Sequence, residues 1–96
     1  MDHTIYRYEV PVDDMSHVLR ITGAPVHIAS RIHGVVEFWA EFNSDIEPRE
    51  TRYIVIGTGH RIPEGAKYVG TTLASHGLVW HLYELQNIPA ALKELR

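Results

Sequence analysis

Tyr53-Ile54-Val55-Ile56-Gly57-Thr58-Gly59-His60-Arg61 decides how this chain is read. Four consecutive apolar residues leave no polar side for a strand to turn toward water, so the stretch predicts a strand buried on both faces, over 50–56, at the centre of a sheet. Glycine then breaks it, and 57–65 is a loop with three glycines and Pro63. Downstream, 66–73 reads as a weaker strand, Ala74-Ser75-His76-Gly77 as a turn and 78–85 as a strong strand, which together make a hairpin. Upstream, 43–49 is a polar loop with Pro48, preceded by strands over 26–32 and 35–42 with a hairpin tip at His33-Gly34. A two-residue turn there would put Val26, Ile28 and Ile32 on the face opposite Val36, Phe38, Ala40 and Phe42. A bulge, a longer loop, or partial burial of both faces would resolve this, Val35 and Trp39 lying on the face opposite Phe38.

At the N-terminus, 5–12 alternates Tyr6, Tyr8, Val10 and Val12 against Arg7, Glu9 and Pro11, as a half-buried strand does. Pro11 marks a strand end or sheet edge, since it has no amide hydrogen. Asp13 to Ser16 is a turn, and the apolar piece 17–21 has no assigned conformation. After Pro89, the spacing of Ala91, Leu92 and Leu95 predicts a short helix over 89–96. The expected fold is mainly β in the α+β class. It has about six strands in an antiparallel sheet curled toward a small barrel or sandwich, plus that C-terminal helix. The 96 residues form a single domain, with 1–85 as the β-sheet core.

Composition narrows the function classes. Forty-five per cent hydrophobic against 22% charged residues is ordinary globular usage. A formal charge of −3 and seven scattered arginines argue against general attraction to nucleic acid, while leaving local recognition of a carboxylate or phosphate open. Seven histidines would move the formal charge to +4 if all were protonated, so assembly that changes between pH 5.5 and 7.5, near the reference pKa of about 6.5, is one hypothesis. The absence of cysteine removes disulfides, thiolate zinc sites and thiol nucleophiles. With no apolar run of membrane-spanning length and no signal-type N-terminus, the expectation is a soluble cytoplasmic protein without membrane association.

Two groups could hold a ligand. In Gly57, Thr58, Gly59, His60 and Arg61, glycines expose backbone amides for an anion, and the imidazole and guanidinium add charged hydrogen bonds. No Gly-Lys-Ser or Gly-Lys-Thr triplet makes this a Walker motif, and a sharp turn alone would also use these glycines. The second group is Tyr68, Thr71, Trp80 and His81, with Gly70, Thr72, His76, Gly77 and Tyr83 nearby. Pairing of the last two strands gathers their hydroxyls, imidazoles and aromatic faces into a grip for a ring-bearing polar molecule, although Trp39 and Trp80 equally suit a core or an oligomer interface. No cofactor, metal site or catalytic residue is assigned. The histidines lack metal-ligand spacing, and none of Ser16, Ser30, Ser44 and Ser75 sits in a nucleophile elbow. Glu37 and Glu41, about 13 Å apart along one strand, are too distant for paired-carboxylate chemistry and read as a solvated face.

Four segments carry a resemblance: Ile5-Tyr6-Arg7-Tyr8-Glu9-Val10-Pro11, Phe38-Trp39-Ala40, Tyr53 to Ile62, and Lys67-Tyr68-Val69-Gly70-Thr71 leading to Gly77-Leu78-Val79-Trp80-His81-Leu82-Tyr83-Glu84. In these the chain resembles a small uncharacterised domain family of tailed bacteriophages, prophages and bacteria, up to Glu84. The resemblance implies a small accessory protein, located in the host cytoplasm if phage-encoded, and brings no activity or catalytic residues. Such a setting implies action by binding. The first expectation is therefore a non-enzymatic, homo-oligomeric protein that sequesters a nucleotide-like anionic signalling ligand of host defence. The alternatives are a protein–protein interaction module that inhibits a host protein, and a metal-assisted hydrolase or nuclease using His60, His76 or His81.

Overall fold

The computed structural model describes residues 3–85. Seven strands follow the β-branched and aromatic runs: β1 (His3–Pro11), β2 (His17–Ile21), β3 (Pro25–Ala29), β4 (Val35–Asn43), β5 (Arg49–Gly57), β6 (Lys67–Leu73) and β7 (Val79–Leu85). A single 3-10 turn, Ser75–Gly77, links the last two. The strands form two antiparallel sheets, a three-stranded one in the order β1-β4-β3 and a four-stranded one in the order β2-β5-β7-β6. This corrects the expected fold. The described residues are all-β rather than α+β, with seven strands rather than about six, and two separate sheets rather than one sheet curled toward a small barrel or sandwich. The strand count rises because 17–21, left unassigned from sequence, is β2 and pairs with Arg49 to Tyr53 of β5. The helix expected over 89–96 lies outside the described residues.

Register places the core. β1 pairs with β4 without interruption from His3–Asn43 to Pro11–Val35, so Tyr6, Tyr8 and Val10 share a face with Val36, Phe38 and Ala40. That face meets Ile21, Tyr53, Val55 and Leu82 of the other sheet in one buried cluster. Phe38 stacks on Tyr8 with ring centroids 5.0 Å apart and meets Tyr53 of the opposite sheet at 4.9 Å. These aromatic contacts tie the two sheets together. Burial pushes the Tyr8 and Tyr53 phenols above the usual tyrosine pKa, and among the described residues neither hydroxyl has a hydrogen-bond partner.

The hairpin mismatch is resolved twice over. β3 ends at Ala29, so residues 30–34 form a five-residue connection to β4, and the register shifts between Pro25 and His27. Ile28 consequently faces Phe38 on the core side, while His27 and Ala29 pair with Trp39 and Glu37 on the outer side. A second shift, between Tyr68 and Gly70, lies in β6. Ile28 packs directly on Gly70, so the edges of the two sheets approach each other there.

Candidate functional site

β5 is the ribbon from which the site is built. Its last residue, Gly57, pairs with Trp80 of β7, and Ile56 pairs with His81. Adjacent strand residues face opposite sides, so Trp80 and His81 lie on different faces of the same sheet. Trp80 is on the inner face, partly buried against the core cluster. His81 is on the outer face.

The turn that follows has a defined geometry. The His60 amide donates to the Gly57 carbonyl at 3.1 Å, and Gly59 in third place has φ +88°, which a side-chain-bearing residue rarely adopts. One backbone donor of the expected anion nest is thus consumed in closing the turn. Gly57 has a different purpose. A Cβ there would lie 3.2 Å from Trp80 Cζ3 and 3.5 Å from His60 Cδ2, so its bare backbone leaves room for both the indole and the imidazole. Between them opens a hollow of about 380 Å³, bordered by Gly57, Thr58, His60, Leu78 and Trp80.

On the outer face, register brings Thr71 opposite His81 and Tyr68 opposite Tyr83. A chain of hydrogen bonds results. His81 Nε2 lies 2.9 Å from Thr58 Oγ1, His81 Nδ1 lies 2.9 Å from Thr71 Oγ1, and Thr71 Oγ1 lies 2.6 Å from the Tyr68 hydroxyl. A neutral imidazole donates from one nitrogen and accepts at the other, so the chain is satisfied in either tautomer. Tyr68 and Tyr83 meet edge to face at 5.6 Å. Beside this chain a smaller hollow of about 170 Å³ is bordered by Gly59, His60, Ile62, His81 and Tyr83. The turn Gly57-Thr58-Gly59-His60 therefore stands as a ridge, with Thr58 and His60 bordering the hollows on both sides.

Nine residues were expected at the site, and the structure sorts them. Gly57, Thr58, His60 and Trp80 surround the larger hollow. Thr58, Tyr68, Thr71 and His81 are joined on the outer face, and Gly59 borders the smaller hollow beside them. Arg61 is exposed and borders neither hollow. A third hollow of about 260 Å³ was not foreseen. Ser30, Arg31 and His33 of the β3–β4 connection and Ser75 of the β6–β7 connection border it, and it shares Leu78 and Trp80 with the larger hollow. In the sequence His33 and Ser75 read as turn residues and Ser30 and Arg31 as the end of a strand, and the packing of β3 against β6 brings the two connections together. Among the described residues no group of three His, Asp or Glu side chains is arranged to hold a metal ion.

The outer face of the three-stranded sheet is different in kind. Glu37, expected on a solvated face, has 0% of its surface exposed. Arg31 donates to it from its backbone amide at 3.2 Å, from Nε at 3.0 Å and from Nη2 at 2.8 Å, and Arg7 Nη1 donates at 3.1 Å. The Arg31 hydrogen bonds outweigh desolvation and hold the Glu37 carboxyl at about 2, below its ordinary 4.5. Arg31 also lies over the Trp39 ring at 5.2 Å, a cation–π contact. Two arginines that stayed unplaced in the sequence thus cover one acid.

The chain belongs to the DUF7352 family, a domain of unknown function. The family match spans residues 1–91 and so includes every element just described. No curated protein and no solved structure matches the chain. In this DUF7352 member the contact between Thr58 and His81 has the reach of a nucleophile–base pair, but the second imidazole nitrogen rests on the Thr71 hydroxyl, and among the described residues no carboxylate is hydrogen-bonded to this imidazole. The geometry is that of a fixed set of donors and acceptors beside an aromatic wall.

Proposed function

We propose that this DUF7352 member is a small accessory protein of phage or bacterial origin that acts by non-enzymatic binding of a nucleotide-like anionic molecule. One observation carries the reading: Thr58 and His60 of the turn after β5 and Trp80 of β7 border a single hollow of about 380 Å³. That volume is in the range of small-molecule sites, roughly 300 to 1,000 Å³. An aromatic ring stacked on the indole gains about 1–3 kcal/mol per base, and the Thr58 hydroxyl and His60 imidazole supply directed polar contacts for an attached phosphate. The Tyr68–Thr71–His81 chain fixes Thr58 from behind, so less ordering entropy is lost on binding.

Thermal unfolding in the presence of AMP tests the reading. A ligand at 100 times its Kd adds about 2.7 kcal/mol of stability, a clear rise in Tm. Trp80→Leu and His60→Ala should each retain the cooperative transition and lose the AMP-dependent rise. A melting curve unmoved by millimolar AMP would overturn the reading.

A further inference from the structure

Resting on that reading, we infer that the site has two chambers and takes a dinucleotide, two ring-bearing units joined through phosphate. The hollow of about 380 Å³ and the neighbouring one of about 260 Å³ have Leu78 and Trp80 as common walls, so an occupant of one stands a single side chain from the other. Their linings match in chemistry. Thr58 and His60 furnish a hydroxyl and an imidazole on one side of Trp80, and Ser75 and His33 furnish the same pair on the other. Two like chambers about one aromatic ring fit a molecule that presents two like halves.

Arg31 supplies the feature that favours an anion in the second chamber. Arg31 borders this chamber, and its contacts with Glu37 use the backbone amide, Nε and Nη2, which hold the guanidinium and leave Nη1 outside that set. A guanidinium held in this way needs little further ordering to donate to a phosphate oxygen. Linking two weakly held units makes the second contact intramolecular, so the dinucleotide gains affinity over the mononucleotide without any new kind of contact.

Isothermal titration of AMP and of the dinucleotide ApA against the full chain and the His33→Ala/Ser75→Ala double variant provides the test. Both residues are exposed, and neither side chain is hydrogen-bonded to another described residue, so the variant should keep the fold, which its melting curve verifies. The wild type should bind ApA at least ~10-fold tighter than AMP and take up two AMP per chain, and the variant should take up one AMP and bind ApA only as tightly as that AMP. Equal affinities for AMP and ApA in the wild type, or a variant that keeps the full preference for ApA, would overturn the two-chamber inference and leave the binding reading standing. If neither molecule binds the wild type, both fall.

Discussion

The outer faces of the two sheets each carry a cross-strand polar network, and the two are built on opposite principles. On the three-stranded sheet a carboxylate with no exposed surface is clasped by Arg31 and Arg7, which are themselves exposed. On the four-stranded sheet, four uncharged groups, Tyr68, Thr71, His81 and Thr58, pass hydrogen bonds along an exposed face. A buried charge must be answered at the site, because leaving it unpaired is expensive, so the Glu37 cluster is bound to the stability of the fold. An exposed hydroxyl can always exchange its partner for water, so the second network contributes little to stability. Its ordered geometry matters chiefly to whatever Thr58 touches.

The largest effect that would break this contrast is expected at Glu37. Glu37→Gln keeps the shape, but turns two charge-assisted acceptors into one neutral acceptor and a donor that faces arginine N–H groups. Urea unfolding at pH 7 should register a loss of about 1–2 kcal/mol. The pH dependence fixes the sign. The folded-state pKa of about 2 lies below 4.5, so the Glu37 contribution is complete above roughly pH 4.5 and disappears as pH falls toward 2. The wild type should therefore lose more stability across that window than Glu37→Gln does. Parallel acid profiles for the two proteins would show that the cluster is no more anchored to the fold than a surface ion pair.

This difference in kind also explains what the sequence could and could not reveal. The central strand was legible because Tyr53-Ile54-Val55-Ile56 has no polar side, and the turn after it because Gly57 and Gly59 punctuate it. Tyr68, Thr71 and His81 could be grouped because β6 and β7 are joined by a short turn, so local pairing sets their neighbours, whereas Thr58 was read with the glycine turn and joins them only through the pairing of β5 with β7. Two sheets could not be told from one curled sheet, because the pairings of β1 with β4 and of β2 with β5 join segments about thirty residues apart. β2 escaped notice as a five-residue piece, although His17, Leu19 and Ile21 alternate toward the core. Glu37 looked like a solvated acid because Arg7 reaches it across thirty positions and Arg31 from a connection whose length was misjudged. Non-local pairing also hid the second chamber, since its two connections belong to different sheets.

A smaller effect on stability, with a larger one on binding, should appear at Thr71, the branch point of the neutral network. Thr71→Val preserves the β-branched shape and removes the oxygen shared by His81 Nδ1 and the Tyr68 hydroxyl. Unfolding free energy should move by no more than about 0.5 kcal/mol, as for surface substitutions in general. AMP affinity should fall about fivefold, one hydrogen bond's worth, because the imidazole that fixes Thr58 loses its own support. A stability loss as large as that of Glu37→Gln, with unchanged AMP affinity, would reverse the assignment of the two networks.

The smallest effect belongs to the far end of the chain. The Tyr68 hydroxyl touches only Thr71 in the network and borders neither hollow beside the turn, so it can influence a ligand only through Thr71. Tyr68→Phe should change AMP affinity less than about twofold and stability by a few tenths of a kcal/mol. The informative measurement is the double-mutant cycle. Groups that act in series give non-additive losses, so adding Tyr68→Phe to Thr71→Val should cost nothing further in affinity. Fully additive losses would mean that Tyr68 meets the ligand by a route of its own, through the ring it sets edge-on against Tyr83 rather than through its hydroxyl. The outer face would then be a second contact surface and not a support for the first.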